Sequence, residues 1–208
     1  MTGPMLFSAA PWQSLLTLVL EAVAVMGTPG PSTMAVTATG AAFGVRRSLG
    51  FVSGAIAGTS AVLLAVATGV VALLMSMPGL GTALTLASAL YILYLAWKIA
   101  TAPPLSQQDT DARAPSLAAG FLLAIANPKA WFAIAAVFTG ATLVESSREV
   151  DALLKIAVLT AMIVIIHLAW LVGGVALTGL LRDPLRSRIS NILFGLILLA
   201  TTAFALLR

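Results

Sequence analysis

Two short clusters, Pro29-Gly30-Pro31-Ser32 and Asn127-Pro128-Lys129, hold the residues whose types and spacing could do chemistry in this chain. Each interrupts an apolar segment. The run Gly27-Thr28-Pro29-Gly30-Pro31 cannot continue an α-helix, because each proline removes a backbone donor and clashes with the preceding turn. A helix restarting at Pro31 presents free N–H groups and the positive end of its dipole, with Ser32 and Thr33 as added donors or caps, an arrangement suited to a carboxylate. Lys129 puts a cation near the middle of the second apolar segment, where a charge costs at least about 2.5 kcal/mol. That cost argues for a role at a substrate or coupling site; a structural ion pair or a reach to the interface is the plainer alternative. Asn127 either binds freed backbone or substrate, or caps the helix that restarts after it. Glu21, two turns before the first break, is a candidate for a coupling proton or a substrate ammonium group, or else an outward-pointing carboxylate near the interface. His167, the single histidine, is a candidate proton relay, or a neutral imidazole bonded to a backbone carbonyl. Trp131, Tyr91 and Trp170 read first as helix-packing aromatics.

Other chemistries lack their residues. With no cysteine in the chain, disulfides, thiolate metal sites and thiol redox relays are excluded. Export of a metal cation would want several acidic, imidazole or thiolate ligands converging in the membrane, and Glu21 and His167 are the only candidates at depth, beside a repelling Lys129. That reading stands second, and no metal or cofactor is expected. One Glu and one His do not make an enzyme's set of nucleophile, acid and base, so no catalytic residue is assigned. Nor is there a P-loop to power transport by ATP.

Hydropathy dictates the elements that position the two clusters. The chain is 60% hydrophobic and 9% charged, far from the quarter or so charged residues of soluble domains, so an all-α integral membrane protein is expected. Residues 48–97 carry no charge; as one helix they would measure roughly 75 Å against a hydrocarbon core of about 30 Å, so they cross twice. The net charge of +4 reflects Lys and Arg at the ends of apolar segments, which is a matter of topology and not of nucleic-acid binding. The first twenty residues hold no Lys or Arg, so no cleavable signal peptide is expected.

Six spans follow, at about residues 14–43, 48–74, 80–100, 117–143, 152–181 and 189–207, with the first and fourth broken. The polar, proline-containing stretch 101–116 reads as a cytoplasmic linker between two three-helix repeats, 1–100 and 117–208. Gly50, Gly54 and Gly58 place small residues on one helix face, for close contact within the chain or in a homodimer. With the N-terminus outside, Arg46, Arg47, Lys98, Arg113, Arg182, Arg186 and Arg188 lie at cytoplasmic ends, against Arg148, Lys155 and Arg208 outside. The excess on one side favours that orientation. Three spans per half then make the halves inverted repeats, and paired interruptions in such halves point to a transporter's substrate site near the midplane.

At these residues the sequence resembles the LysE/RhtB family of amino-acid exporters over nearly its whole length. The anchors are Pro29-Gly30-Pro31; Gly44, Arg46 and Gly50, then Gly54 and Gly58; Ala89-Leu90-Tyr91-Ile92-Leu93-Tyr94-Leu95; Asn127-Pro128-Lys129-Ala130; and Asn191, Phe194 and Gly195. Ser88 and Ala96 stand where the family's pattern usually has glycine, and residues 137–143 lack its Pro-Gln-Phe element. The resemblance implies export of amino acids or related metabolites across the cytoplasmic (inner) membrane of a bacterium, in exchange for protons, with the paired breaks at the centre.

The orientation is testable by reporter fusions at residues 105, 147 and 208. The first should report from the cytoplasm and the other two from outside. A cytoplasmic signal from the last, with every span shown to cross, would overturn the inverted arrangement.

Overall fold

The computed structural model describes residues 11–69 and 114–176, with isolated positions between 86 and 101 and between 185 and 200. The expected third and sixth spans and residues 102–113 of the linker lie outside the described residues, or are described only at those isolated positions. Every described element is helical. Helix α1 (Pro11–Glu21) runs into a π-helical stretch (Ala22–Met26), and α2 spans Pro31–Ala67. They are followed by α3 (Leu117–Ile125), α4 (Pro128–Gly140) and α5 (Arg148–Ala176). Both α2 and α5 are long and apolar enough to cross a membrane, and α3 with α4, bent by 63° at their junction, makes a third candidate span.

The length of α2 conceals a corner. Gly44 sits at φ 72°, ψ 174°, backbone that a side-chain-bearing residue rarely adopts. The hydroxyl of Ser48 donates to the carbonyls of both Gly44 (2.6 Å) and Thr39 (3.0 Å). Residues nine apart are about 13 Å apart along a straight helix, so that second bond requires the chain to turn sharply at Gly44. The corner divides α2 into a first limb, residues 31–43, and a second, residues 45–67. The boundary falls where the sequence places it, at Gly44.

Glu21 lies beside Gly140 and Thr28 beside Lys129. Moving forward along the first broken segment therefore means moving backward along α4, and the two broken segments run antiparallel. Between them and α5 is the larger apolar core, formed by Leu18, Ala22, Val62, Leu63, Ile134, Val137, Leu159 and Ile163 among others. In lipid the gain from such a core is packing and not removal from water, so close backbone approach matters more than in a soluble bundle.

Glycines provide that approach. A Cβ at Gly54 would run into the Leu117 carbonyl, and one at Gly120 into the Phe51 carbonyl, while Gly58 faces Phe121 and Ala124. The second limb of α2 and α3 thus meet backbone to backbone within one chain. Gly40 against Leu171 and Gly174 against Thr37 do the same for the first limb and α5. Gly50, grouped with Gly54 and Gly58 by spacing, has nothing within 4 Å of its Cβ position. At the far end of α4, Asp151 accepts from the amides of Leu143 (2.6 Å) and Val144 (3.0 Å). It also pairs with Lys155 at 2.8 Å. Lys155 is buried, and its ammonium donates to the Phe138 carbonyl at 3.0 Å, closing the turn between α4 and α5.

Substitution by alanine should separate these roles. Gly54→Ala and Gly120→Ala should each destabilise the protein by about 1–3 kcal/mol, because the added methyl has only backbone to displace. Gly50→Ala should stay within about 0.5 kcal/mol of the parent. Thermal unfolding in detergent measures all three; equal midpoints would show that the α2–α3 seam does not depend on its glycines.

Candidate functional site

The first break extends from the end of the π-helical stretch to Pro31. Gly27 closes the stretch by donating its N–H to the carbonyls of Ala22 and Val23, both at 3.1 Å. Beyond it four consecutive carbonyls, those of Gly27, Thr28, Pro29 and Gly30, lie outside any helix interior. Each finds a donor. The indole N–H of Trp170 reaches Gly27 at 3.1 Å. The ammonium of Lys129 donates to the carbonyls of Thr28 and Pro29, the latter at 3.2 Å, and to the Thr28 hydroxyl at 2.7 Å. That hydroxyl passes its own hydrogen to Val25 at 2.9 Å. The Gly30 carbonyl accepts from Met34 N–H (2.9 Å) as α2 begins, and from the Thr33 hydroxyl (3.1 Å), which in turn accepts from Gly30 N–H (2.8 Å). Gly30 is a glycine here for reasons of space: its backbone is extended, and a Cβ would lie 2.6 Å from Cδ of Lys129.

The second break, at Asn127, is built the same way. Its backbone is extended (φ −84°, ψ 104°), and Oδ1 accepts from the Lys129 N–H at 3.1 Å to cap α4. The amide group reaches across to the first break, where Nδ2 donates to the Ser32 hydroxyl at 2.9 Å. Trp131 donates its indole N–H to the Ile125 carbonyl at 2.8 Å, which pairs the end of α3. So the two breaks meet, and two residues of the second, Asn127 and Lys129, bond directly to the first.

A cavity of about 430 Å³, counting the space at its mouth, opens at this junction. Its polar lining is Ser32, Thr33, Thr59, Asn127, Lys129 and His167; Met26, Ala133, Ile134, Ile163 and Ile166 form much of the apolar wall. Helices α2 and α4 both begin here, so the positive ends of two helix dipoles converge on a cavity that also holds an ammonium group.

Of the residues singled out by type and spacing, Gly30, Ser32, Asn127, Lys129 and His167 line the cavity, and Pro29, Pro31 and Pro128 form the breaks around it. Glu21 is not brought to it. Its carboxylate lies next to Gly140, at the opposite end of α4 from Lys129. The sequence reading underrated Trp131 and Trp170, whose indoles serve the breaks as donors, and did not single out Thr59. The available signal was one of supply: broken helices in an apolar chain have spare carbonyls, and indole N–H groups are among the few donors that such a chain carries.

A cavity walled by two interrupted, antiparallel apolar segments is an arrangement that transport proteins use. The LysE type translocator profile matches residues 23–208. The chain therefore belongs to that family, whose members are transporters, and the match takes in both breaks. No curated protein and no solved structure matches the chain. Among the described residues no group of three His, Cys, Asp or Glu side chains could hold a metal ion.

Removing the Lys129 ammonium should leave the Thr28 and Pro29 carbonyls without the side-chain donor that ties the first break to α4. In Lys129→Met, hydrogen exchange across residues 27–33 should quicken by roughly tenfold or more while the middle of α5 keeps its protection. Unchanged exchange at the break would show that Lys129 does not hold it.

Proposed function

We propose that the protein exports amino acids or closely related small metabolites across the cytoplasmic membrane of a bacterium, in exchange for protons. The observation that carries this reading is the meeting of the two breaks around one cavity through Lys129 and Asn127. A free carboxylate matches what converges there: an ammonium group, the starts of two helices, and the first-turn amides of Ser32 and Thr33, which by position have no intrahelical acceptor. The apolar wall takes the rest of a small metabolite.

The six-span, inverted-repeat arrangement, with both termini outside, accords with the antiparallel run of the two broken segments. In this reading repeats 1–100 and 117–208, joined by the linker 101–116, rock against each other and expose the cavity to each side in turn. The substrate carboxylate competes with the Thr28 and Pro29 carbonyls for Lys129, because an ammonium has three donors and all three are engaged. Binding therefore loosens the tie between the breaks. That links occupancy to the conformational change.

Expression in a host cell tests the activity. Cells making the protein should tolerate an otherwise toxic amino acid or analogue, and should release it faster than cells with an empty vector; Lys129→Met, inserted at the parent's level, should lose that advantage. If a broad amino-acid panel shows no difference while resistance to a divalent metal rises, the protein is a metal exporter instead.

A further inference from the structure

His167 is the polar group at the cavity that the fold itself leaves unused. Its imidazole is 4% exposed, and Nδ1 lies 2.8 Å from the Ile163 carbonyl. A carbonyl only accepts, so Nδ1 carries the ring hydrogen and donates it there; in the neutral ring Nε2 is then a bare acceptor. Nε2 is the buried side-chain polar atom left without a partner among the described residues. Its neighbours in the lining are engaged. Thr59 donates to Ala55, Thr33 exchanges with Gly30, Asn127 joins Ser32 to the Lys129 amide, and the Lys129 ammonium has its three acceptors. An unpaired buried acceptor is costly, and a polar site is the place where such a cost is repaid on binding.

The charges around it restrict the occupant. Of the elements that line the cavity, α4 contributes Lys129 and α5 His167; the π-helical stretch and α2 contribute no titratable side chain, and no carboxylate is present. A ligand with one carboxylate and one ammonium adds no net charge beside Lys129. A second positive charge would face Lys129 with no anion to meet it, and a second carboxylate would meet no second cation while the imidazole is neutral. Met26, Ala133, Ile134, Ile163 and Ile166 leave the side-chain end of the cavity aliphatic.

We propose that His167 Nε2 accepts the ammonium group of a zwitterionic substrate with a small uncharged side chain, and that the exchanged proton competes for the same lone pair. The proposal rests on the export reading above and adds both the substrate class and the atom at which exchange occurs. When Nε2 takes a proton the ring becomes a second cation and a donor, so it no longer accepts from an ammonium group and repels it. One atom thus holds either a proton or a substrate. A proton bound on one side of the membrane is released on the other before substrate binds, so one proton enters for each molecule that leaves. No other reactant is needed.

The test uses the full-length protein in liposomes with labelled L-alanine, L-threonine, L-valine and L-leucine, and with L-lysine and L-glutamate as charged comparators. Neutral members should be taken up with kcat/KM at least about tenfold above both charged ones; a preference for L-lysine or L-glutamate overturns the proposed substrate class. In substrate-for-substrate exchange, the parent's KM should rise by about tenfold per pH unit below the imidazole midpoint, with kcat unchanged. His167→Gln keeps an acceptor near Nε2 but takes no proton. Its KM should be severalfold higher and independent of pH, and accumulation driven by a pH gradient should be lost. Retention of gradient-driven accumulation by His167→Gln overturns the proposal while leaving export intact; a parent that moves no amino acid overturns both. Should the variant not insert, the parent provides a separate readout, since its single histidine gives one pair of imidazole nitrogen resonances. The best-transported neutral amino acid should lower the midpoint of their titration, and an unmoved midpoint overturns the competition.

Discussion

Carbonyl groups freed by interrupted helices govern this structure. In hydrocarbon each unpaired backbone group costs several kcal/mol, so a helix can be interrupted only where something donates to what the interruption frees. The first break frees the carbonyls of Gly27, Thr28, Pro29 and Gly30, and only Gly30 is served from within α2 and its cap. The other three depend on side chains more than a hundred residues away or close to it, Trp170 and Lys129. The prolines of its own segment make the first break, but its freed carbonyls are paired from elsewhere. α4 and α5 bring the donors to it, and α4 can do so because the chain breaks a second time at Asn127 and restarts with Lys129 at its head. The two interruptions are one structure.

This dependence explains how much could be read from the residues alone. Proline, glycine and a charge inside an apolar run leave marks in composition, so both breaks and Lys129 were visible, as were the helical class and the corner at Gly44. Pairing across the fold was not. Trp170 carries the same single donor wherever it lies, and nothing in its neighbourhood along the chain says that Gly27 will be its acceptor. Asn127 offered two readings, a cap or a partner for freed backbone or substrate; Oδ1 is the cap, and Nδ2 goes to the Ser32 hydroxyl, which neither reading named. His167 also divides between its two nitrogens: Nδ1 makes the bond to a carbonyl that the plainer reading expected, while Nε2 is left for the cavity. Glu21 is kept from the cavity by distance along a helix. Two turns before the break places its carboxylate at the Gly140 end of α4, about the length of that helix from Lys129. The glycine face at 50, 54 and 58 was read correctly as close-packing in kind, but spacing did not show that α3 covers only two of its three members.

Where the structure is tied and where it is not follows from the same contacts. The second limb of α2 and α3 meet through Gly54, Gly58 and Gly120 with backbone against backbone, across the boundary between the two expected repeats. At the other end α4 and α5 are closed together by Asp151, Lys155 and the Phe138 carbonyl. The first limb of α2 is in turn seated on α5 through Gly40 and Gly174, and α3 passes into α4 at Ala126 and Asn127 with a 63° bend. Backbone outside the helices, at Asn127 and from Gly27 to Gly30, lies between these packed seams, and packed seams shift between discrete arrangements and do not stretch. Both breaks lie at the cavity and share Lys129. A ligand that draws the ammonium away from the Thr28 and Pro29 carbonyls therefore acts on the breaks themselves, with no longer path needed to carry its effect.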